Sequence, residues 1–319
     1  MLRGIITTIG ILVCLLLFFI AGCVDSAREK LYVFHAGSLA QPLAEIEKLF
    51  EEKYPDIDVL REVSGSYEAV KKISELGRYC DVIISADYSL IEQLLVPNFC
   101  DWQIKFATNS MVLAYTKTSK YADLINANNW FEILQKDDVE WGHSNPNADP
   151  CGYRALLVMK LAEIHYKIPG LYDKLVSKRR IKNIREKETE LVPLLKSGEL
   201  DYTFLYRSMA LQYGFKFVDL PYEIDLSRAE YADRYAMAEL KLKDGTVQKG
   251  IPIVYGVSVP NNAPNKRMAL EFVRFLLIEG ATVFERFGQP FLKKPIVYGQ
   301  GKLPDEMKSL PFYKEEREK

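Results

Sequence analysis

Two short turns that contain serine and glycine are the first candidates for chemistry. Gly37-Ser38 follows the apolar run 31–34, and Ser66 follows the run 57–60. Each turn precedes a segment with helical spacing, so it offers a hydroxyl donor, free backbone N–H groups and the positive end of a helix dipole. Such donors bind the oxygens of an anion without a formal positive charge. The alternative is that Ser38 and Ser66 only cap their helices.

Acidic and aromatic side chains in the second half of the chain are the other candidates. Asp149 stands directly before Pro150, Tyr206 ends the apolar run 202–206, and Glu223 follows a Leu-Pro-Tyr stretch. Two such acids in a cleft could form an acid/base pair. The alternatives are a turn cap for Asp149 and a surface acid for Glu223.

A repeated strand, turn and helix pattern positions the first group of candidates. The runs 31–34, 57–60 and 81–84 are each followed by a polar turn and then by apolar residues at helical spacing. Strands that alternate with helices predict a parallel sheet. Ligands bind outside the carboxyl ends of the strands in such sheets, so the two turns are expected at one sheet edge.

Two lobes are predicted because 319 residues exceed the roughly 250–300 that one core fills. A buried strand at 110–115 leaves the first unit, and another at 251–259 returns to it. Between them lies a second mixed segment with a helix from about Cys151 to Tyr166. We therefore expect an α/β fold of two lobes, each a mixed sheet flanked by helices, joined by two crossing strands. The predicted divisions are a signal peptide at 1–22, a linker at 23–30, the first lobe at 31–112, the second lobe at 113–252, and the return to the first lobe with the tail at 253–319.

The N-terminus predicts export. Arg3 precedes an apolar run of about sixteen residues, which is short for a membrane span of about twenty. The run ends in Ala21-Gly22-Cys23, which resembles the lipobox of secreted lipoproteins. We therefore expect cleavage before Cys23, a lipid on its thiol, and a protein tethered to the outer face of the cell membrane. An uncleaved anchor is the alternative.

The remaining cysteines and histidines give little support for a metal centre. Cys80, Cys100 and Cys151 lie beyond the signal peptide, no Cys-x-x-Cys pair occurs, and the three histidines are scattered. In an exported chain Cys80 and Cys100 could form one disulfide and leave Cys151 free, because both are expected at the same end of the first sheet. Free buried thiols are the alternative.

Composition and motifs exclude several function classes. The formal net charge is −1, and Lys178-Arg179-Arg180 is the nearest approach to a basic patch, so nucleic acid is not an expected partner. The sequence contains no Gly-x-Ser-x-Gly, His-Glu-x-x-His or P-loop motif, which disfavours an enzyme. A receptor for sulfate, phosphate or ferric iron, and a secreted hydrolase with Asp149 and Glu223 as acid and base, stay open as alternatives.

From about Leu31 to Phe291 the chain resembles the periplasmic-binding-protein fold of the molybdate receptors, and within it the tungstate/molybdate-binding receptors common in archaea. The motifs that carry the resemblance are Phe34-His35-Ala36-Gly37-Ser38-Leu39, Val63-Ser64-Gly65-Ser66, Asp81-Val82-Ile83-Ile84-Ser85-Ala86-Asp87, Ser144-Asn145-Pro146-Asn147-Ala148-Asp149-Pro150-Cys151-Gly152-Tyr153-Arg154, Phe204-Leu205-Tyr206-Arg207-Ser208 and Leu220-Pro221-Tyr222-Glu223-Ile224.

The resemblance implies a type II periplasmic-binding-protein fold that holds tungstate or molybdate between its lobes. It implies that Asp149 and Glu223 are carboxylate ligands to the metal of the oxyanion, because tungsten(VI) and molybdenum(VI) accept additional hard oxygens whereas sulfur and phosphorus do not. It further implies a monomer without a resident cofactor that delivers its ligand to the permease and ATPase of an ABC transporter. The implied ligand contacts are Gly37, Ser38, Ser66, Asp149, Cys151, Tyr206 and Glu223.

Overall fold

The structure is a computed structural model that describes residues 28–299, 302–311 and 313. The predicted signal peptide, the predicted lipidation site at Cys23 and residues 24–27 of the linker lie outside the described residues. Within the described part of the chain, no helix combines the length and the apolar character that a membrane span requires.

The described strands and helices alternate along most of the chain. The strands are β1 (Glu29–Ala36), β2 (Ile57–Ser64), β3 (Val82–Ser85), β4 (Gln103–Thr108), β5 (Met111–Tyr115), β6 (Trp141–Ser144), β7 (Ile184–Arg185), β8 (Tyr202–Tyr206), β9 (Lys216–Asp219), β10 (Glu239–Lys241), β11 (Val247–Lys249), β12 (Val254–Ser258) and β13 (Phe291–Tyr298). The α-helices are α1 (Ala40–Lys53), α2 (Ser66–Ser74), α3 (Tyr88–Leu94), α4 (Trp130–Ile133), α5 (Pro150–Tyr166), α6 (Leu171–Lys178), α7 (Leu191–Ser197), α8 (Arg207–Gln212), α9 (Ala232–Tyr235), α10 (Lys266–Ile278), α11 (Gly280–Arg286) and α12 (Asp305–Lys308).

Two mixed sheets form the centres of the two lobes. The first sheet has the order β13-β4-β12-β3-β1-β2, and the second has the order β7-β6-β8-β5-β9. In the first sheet β1 runs parallel to β2 and β3, whereas β12 is antiparallel to β3 and β4. In the second sheet β6 runs parallel to β8, and β5 is antiparallel to β8 and β9. The predicted two-lobed α/β fold is therefore confirmed.

The chain passes from the first sheet to the second after β4 and returns to the first sheet before β12. β4 ends at Thr108 in the first sheet and β5 begins at Met111 in the second, so Asn109-Ser110 forms the outgoing crossing. The predicted boundary lies two residues later, inside β5. The return crossing precedes β12, and its backbone is joined to the second lobe by a 2.8 Å hydrogen bond from Ile253 N–H to the Leu226 carbonyl.

Aromatic packing holds the returning segment on the first lobe. Phe50 in α1 is fully buried, and its ring contacts Phe272 and Phe275 of α10 with centroids 5.1 and 5.4 Å apart in edge-to-face geometry. Such pairs add roughly 0.5–1.5 kcal/mol to the stabilisation that their buried area provides. The last third of the chain therefore completes the lobe that the first third begins.

The expected disulfide between Cys80 and Cys100 is not present. The structure has both thiols, and that of Cys151, free and buried. Cys80 and Cys100 pack as small apolar side chains among the residues of β3, α2 and α3. Burial raises the pKa of Cys80 well above its ordinary value and the pKa of Cys100 to about 12, so both thiols are protonated and unreactive.

Candidate ligand-binding cleft

The two lobes meet closely around the Gly-Ser turns of the first lobe. A Cβ atom at Gly65 would lie 2.1 Å from the carbonyl oxygen of Ala148, and one at Gly37 would lie 3.1 Å from the Thr189 methyl group. Gly65 has φ −63° and ψ 144°, which any residue adopts. Glycine is therefore needed at position 65 for the contact between the lobes and not for its backbone conformation. The structure shows the cleft closed.

Ser38 and Ser66 are fully buried in this cleft, and both hydroxyl oxygens accept a hydrogen bond from the first lobe. Ser66 Oγ accepts from the Ala86 N–H at 2.8 Å. Ser38 Oγ accepts from the Tyr255 hydroxyl at 3.1 Å, and Tyr255 is set as a donor because its oxygen already accepts from Asn109 Nδ2 at 2.7 Å. The Ser66 proton is thus left to donate to another group, whereas the Ser38 hydroxyl and backbone N–H lie within hydrogen-bond reach of the Glu188 carboxyl group.

The capping alternative for these serines does not describe the structure. Ala36 and Gly65 occupy the N-cap positions of the two turns, and neither turn has a side-chain cap. The first N–H groups of α2 have no partner within the helix and lie at the same end of the sheet as the hydroxyls. The arrangement of Ser66 and its backbone suits an acceptor-rich ligand.

Tyr206 provides a hydroxyl from the second lobe. It ends β8, is fully buried, and its Oη accepts a hydrogen bond from Arg154 Nη1 at 2.6 Å. Arginine has no acceptor atom, so the Tyr206 proton is also free to donate. Burial raises the pKa of Tyr206 well above its ordinary value, which keeps the hydroxyl protonated.

Asp149 lies at the start of α5 and is 4% exposed. Its Oδ1 accepts from the Cys151 N–H at 3.2 Å as an N-cap, and its Oδ2 accepts from the Glu188 N–H at 2.8 Å. The predicted alternative of a cap is therefore realised, and the Cα atom of Asp149 also lies at the contact between the lobes, 3.2 Å from the position of a Gly65 Cβ. Burial raises the pKa of Asp149 to about 6.

The second acid in the cleft is Glu188, which sequence reasoning missed. It lies in a 3₁₀ turn, Glu188–Glu190, and is 2% exposed. Burial raises the pKa of Glu188 well above its ordinary value and Asp149 raises it further, whereas Cys151 and Ser38 act in the opposite direction. Its Oε2 atom is buried without a hydrogen-bond partner among the described residues. A buried carboxylate oxygen of this kind is available to a ligand.

No local signal distinguishes this glutamate in the sequence. It stands in the stretch Glu186-Lys187-Glu188-Thr189-Glu190, where three acids alternate with other residues before an apolar run. Only the contact with the Gly37 turn of the other lobe singles out Glu188, because its Oε1 lies 3.4 Å from the position of a Gly37 Cβ.

The structure does not bring Glu223 to Asp149. Glu223 lies in a turn closed by hydrogen bonds from the Ile224 and Asp225 N–H groups to the Pro221 carbonyl. Its charge acts on His165 and Tyr166, which lie at the C-terminal end of α5, whereas Asp149 caps the other end of that helix. The acid that reaches Asp149 is Glu188.

Cys151 is fully buried in the first turn of α5, beside both acids. Its Sγ lies 3.7 Å from the Phe204 carbonyl oxygen, and burial raises its pKa well above the ordinary value. It is therefore a neutral thiol and a weak donor in this site. Within the described residues, no group of three or more histidine, cysteine, aspartate or glutamate side chains is arranged to hold a metal cation.

The chain belongs to the bacterial extracellular solute-binding protein family, whose profile matches residues 31–289. It is 43% identical over 336 residues to the molybdate/tungstate-binding protein WtpA of Thermococcus kodakarensis, with 93% of this chain and 94% of that protein covered. The protein of the same name from Pyrococcus abyssi is 42% identical over 339 residues, with 94% and 97% covered. The predicted family is thereby confirmed.

A solved structure supports the fold independently. The periplasmic molybdate-binding protein of Azotobacter vinelandii superposes with a TM-score of 0.61 over 82% of this chain and 100% of that one, at 18% identity. The fold is therefore retained at a level of identity where residue roles do not transfer.

Gly65→Ala tests the closed contact. We expect the lobes to be held apart, because the new methyl group meets a backbone carbonyl that cannot move independently of β6 and α5. The amides of residues 64–66, 147–149 and 151 should exchange hydrogen roughly tenfold faster or more than in the wild type, the change that about 1.4 kcal/mol produces. Gly37→Ala is a graded control, since its methyl meets only side-chain atoms, those of Thr189 and Glu188, and at longer distances. Equal exchange in all three proteins would contradict the closed contact.

Proposed function

We propose that this protein is a receptor that captures tungstate or molybdate in the cleft between its lobes and delivers it to an ABC transporter. The observation that carries the proposal is the presence of three hydroxyl donors and two buried acids in the same cleft. The donors are Ser38, Ser66 and Tyr206, and the acids are Asp149 and Glu188.

The donors suit a tetrahedral oxyanion, whose oxygens only accept hydrogen bonds. Each of the three hydroxyl oxygens accepts a bond from the protein, so each hydroxyl acts as a donor, and that of Ser38 also lies within hydrogen-bond reach of Glu188. Hydrogen bonds to a charged acceptor contribute roughly 1.5–3 kcal/mol each. Arg154 is the buried cation of this region, and Asp87 lies 3.1 Å from it, so the cleft attracts an anion through oriented dipoles more than through net charge.

The acids decide which oxyanion is accepted. In their ionised form the carboxylates of Asp149 and Glu188 would only repel a sulfate or phosphate, and the low dielectric of the closed cleft would strengthen that repulsion. Tungsten(VI) and molybdenum(VI) can bind further oxygens, and hard carboxylate oxygens suit them. The unpartnered Oε2 of Glu188 and the remaining lone pairs of Asp149 then become ligands, and the repulsion is offset by bonds.

Substitution of the acids tests this proposal. Asp149→Asn and Glu188→Gln should each weaken tungstate and molybdate binding at least tenfold, about 1.4 kcal/mol, because a metal–oxygen bond is lost. Asp149→Asn keeps the cap on α5. Sulfate binding should be unchanged or stronger, because a repulsive charge has been removed. Glu223→Gln is the matched control and should bind as the wild type does. Isothermal titration calorimetry with each anion provides the measurement.

Two results would contradict the role of the acids. One is a Glu188→Gln protein that loses affinity for sulfate and tungstate by the same factor, since the carboxylate would then act on any oxyanion. The other is an X-ray absorption spectrum of the bound tungstate that shows four-coordinate tungsten, because two carboxylate ligands require a higher coordination number.

The proposed partner is a membrane permease with an associated ATPase. Solute-binding proteins of ABC transporters work with these components, and the sequence has no ATP-binding motif of its own. Deletion of the permease gene of a neighbouring transport operon should abolish high-affinity tungstate uptake by cells, while the receptor still binds its ligand. Unchanged uptake in the deletion strain would contradict this partner.

The proposed attachment to the membrane is a lipid on Cys23. Cys23→Ala should shift the protein from the membrane fraction to the soluble fraction or leave it as an unprocessed precursor, because no thiol accepts the lipid. Cys14→Ala changes a cysteine in the segment that we expect to be removed, so it is the matched control and should stay in the membrane fraction at the mature size. A processed, membrane-bound Cys23→Ala protein would contradict lipidation at this position.

A further inference from the structure

Arg154 joins the two lobes through a buried guanidinium group. It lies in α5 of the second lobe and is 1% exposed. Its Nη1 donates to the Ala86 carbonyl oxygen at 2.8 Å and to Tyr206 Oη at 2.6 Å, and its Nη2 lies 3.1 Å from Asp87 Oδ2. Ala86 and Asp87 follow β3 in the first lobe, so one side chain contacts both walls of the cleft.

The Asp87 carboxylate is also fixed by hydrogen bonds from both lobes. Its Oδ1 accepts from the Ser89 N–H at 2.9 Å as the N-cap of α3, and its Oδ2 accepts from the Tyr153 hydroxyl of the second lobe. Both charges of the Arg154–Asp87 pair are 1% exposed. A buried pair of this kind depends on both partners, because removal of one leaves an uncompensated charge in a dry site. In an open cleft water would reach both groups.

Two of the three hydroxyl donors, Ser38 and Tyr206, are therefore oriented in different ways. Ser38 receives its hydrogen bond from Tyr255, which lies on β12 of the same lobe, so this arrangement does not need closure. Tyr206 receives its bond from Arg154, whose guanidinium is fixed by the first lobe. The planar group can reach Ala86, Asp87 and Tyr206 together only when the lobes are in contact.

We propose that Arg154 is a positioning residue that sets Tyr206 as a hydrogen-bond donor to the bound oxyanion and does so when the cleft closes onto Ala86 and Asp87. The inference rests on the proposed function and assigns a part of it to a residue that does not touch the ligand. Closure thereby adds a donor that the open cleft does not hold in place. The contribution of the Tyr206 hydroxyl to tungstate affinity therefore reports on the coupling between Arg154 and Tyr206.

A double-mutant cycle on the full-length protein tests the proposal. Tyr206→Phe should weaken tungstate binding roughly tenfold in the wild-type background, the value of one hydrogen bond to a charged acceptor. In the Arg154→Lys background the same change should lower tungstate affinity by less than about threefold, because the Tyr206 hydroxyl is no longer held as a donor. Arg207→Lys is the matched control, because Arg207 follows Tyr206 in the sequence but is partly exposed and paired with Asp219. In the Arg207→Lys background, Tyr206→Phe should still lower tungstate affinity by the full factor.

Asp87→Asn keeps the test decisive if Arg154→Lys does not fold. Asparagine retains the cap on α3 but removes the charge that fixes the guanidinium, so the cost of Tyr206→Phe should again fall below about threefold. The role of Arg154 would be overturned if Tyr206→Phe lowered tungstate affinity as much in the folded Arg154→Lys or Asp87→Asn protein as in the wild type. The proposed function would stay intact in that case, provided that the wild-type protein binds tungstate. A wild-type protein that binds neither tungstate nor molybdate would contradict the proposed function and this role with it.

Discussion

Two acids buried against each other, Asp149 and Glu188, are the constraint around which the closed cleft is built. The Glu188 N–H donates to Asp149 Oδ2, and burial raises the pKa of both carboxyl groups. Asp149 is compensated by the N-terminus of α5, where a negative charge is favourable. Glu188 is compensated only by hydrogen bonds with Cys151 and Ser38, and it keeps one oxygen unpartnered. An unpaired buried acid lowers stability, so its presence is best explained by a ligand that uses it.

The hydroxyl donors solve the complementary problem of binding an anion beside those acids. A lysine or arginine that pointed at the ligand would attract any oxyanion and would also pair with Asp149 or Glu188. Ser38, Ser66 and Tyr206 instead present protons whose direction is fixed because their oxygens already accept hydrogen bonds. Affinity then comes from the hydroxyl groups and selectivity from the acids, which separates two properties that a formal positive charge would merge.

The parts of this structure that depend on local patterns could be predicted from the sequence. The strand, turn and helix repeats predict β1 to β3 and the two Gly-Ser turns, because periodicity and turn chemistry are local. Asp149 could be found through the family motif that contains it, whereas its position before Pro150 alone predicts only a turn cap. Glu188 could not be found, since its place in the cleft is fixed by contact with Gly37 in the other lobe. The family resemblance indicates Glu223 instead, and nothing in the sequence shows that its charge lies near His165 and Tyr166, at the opposite end of α5.

The approach of the two lobes at Gly65 closes the cleft and also contributes to its selectivity. Glycine at position 65 allows the first lobe to approach the Ala148 carbonyl so closely that no methyl group fits between them. The exclusion of water lowers the local dielectric, which strengthens the hydrogen bonds from the hydroxyl groups and increases the repulsion between an anion and the two acids. An oxyanion that binds the carboxylates gains from both changes. One that cannot do so meets a larger penalty as the lobes approach, and closure itself therefore rejects it.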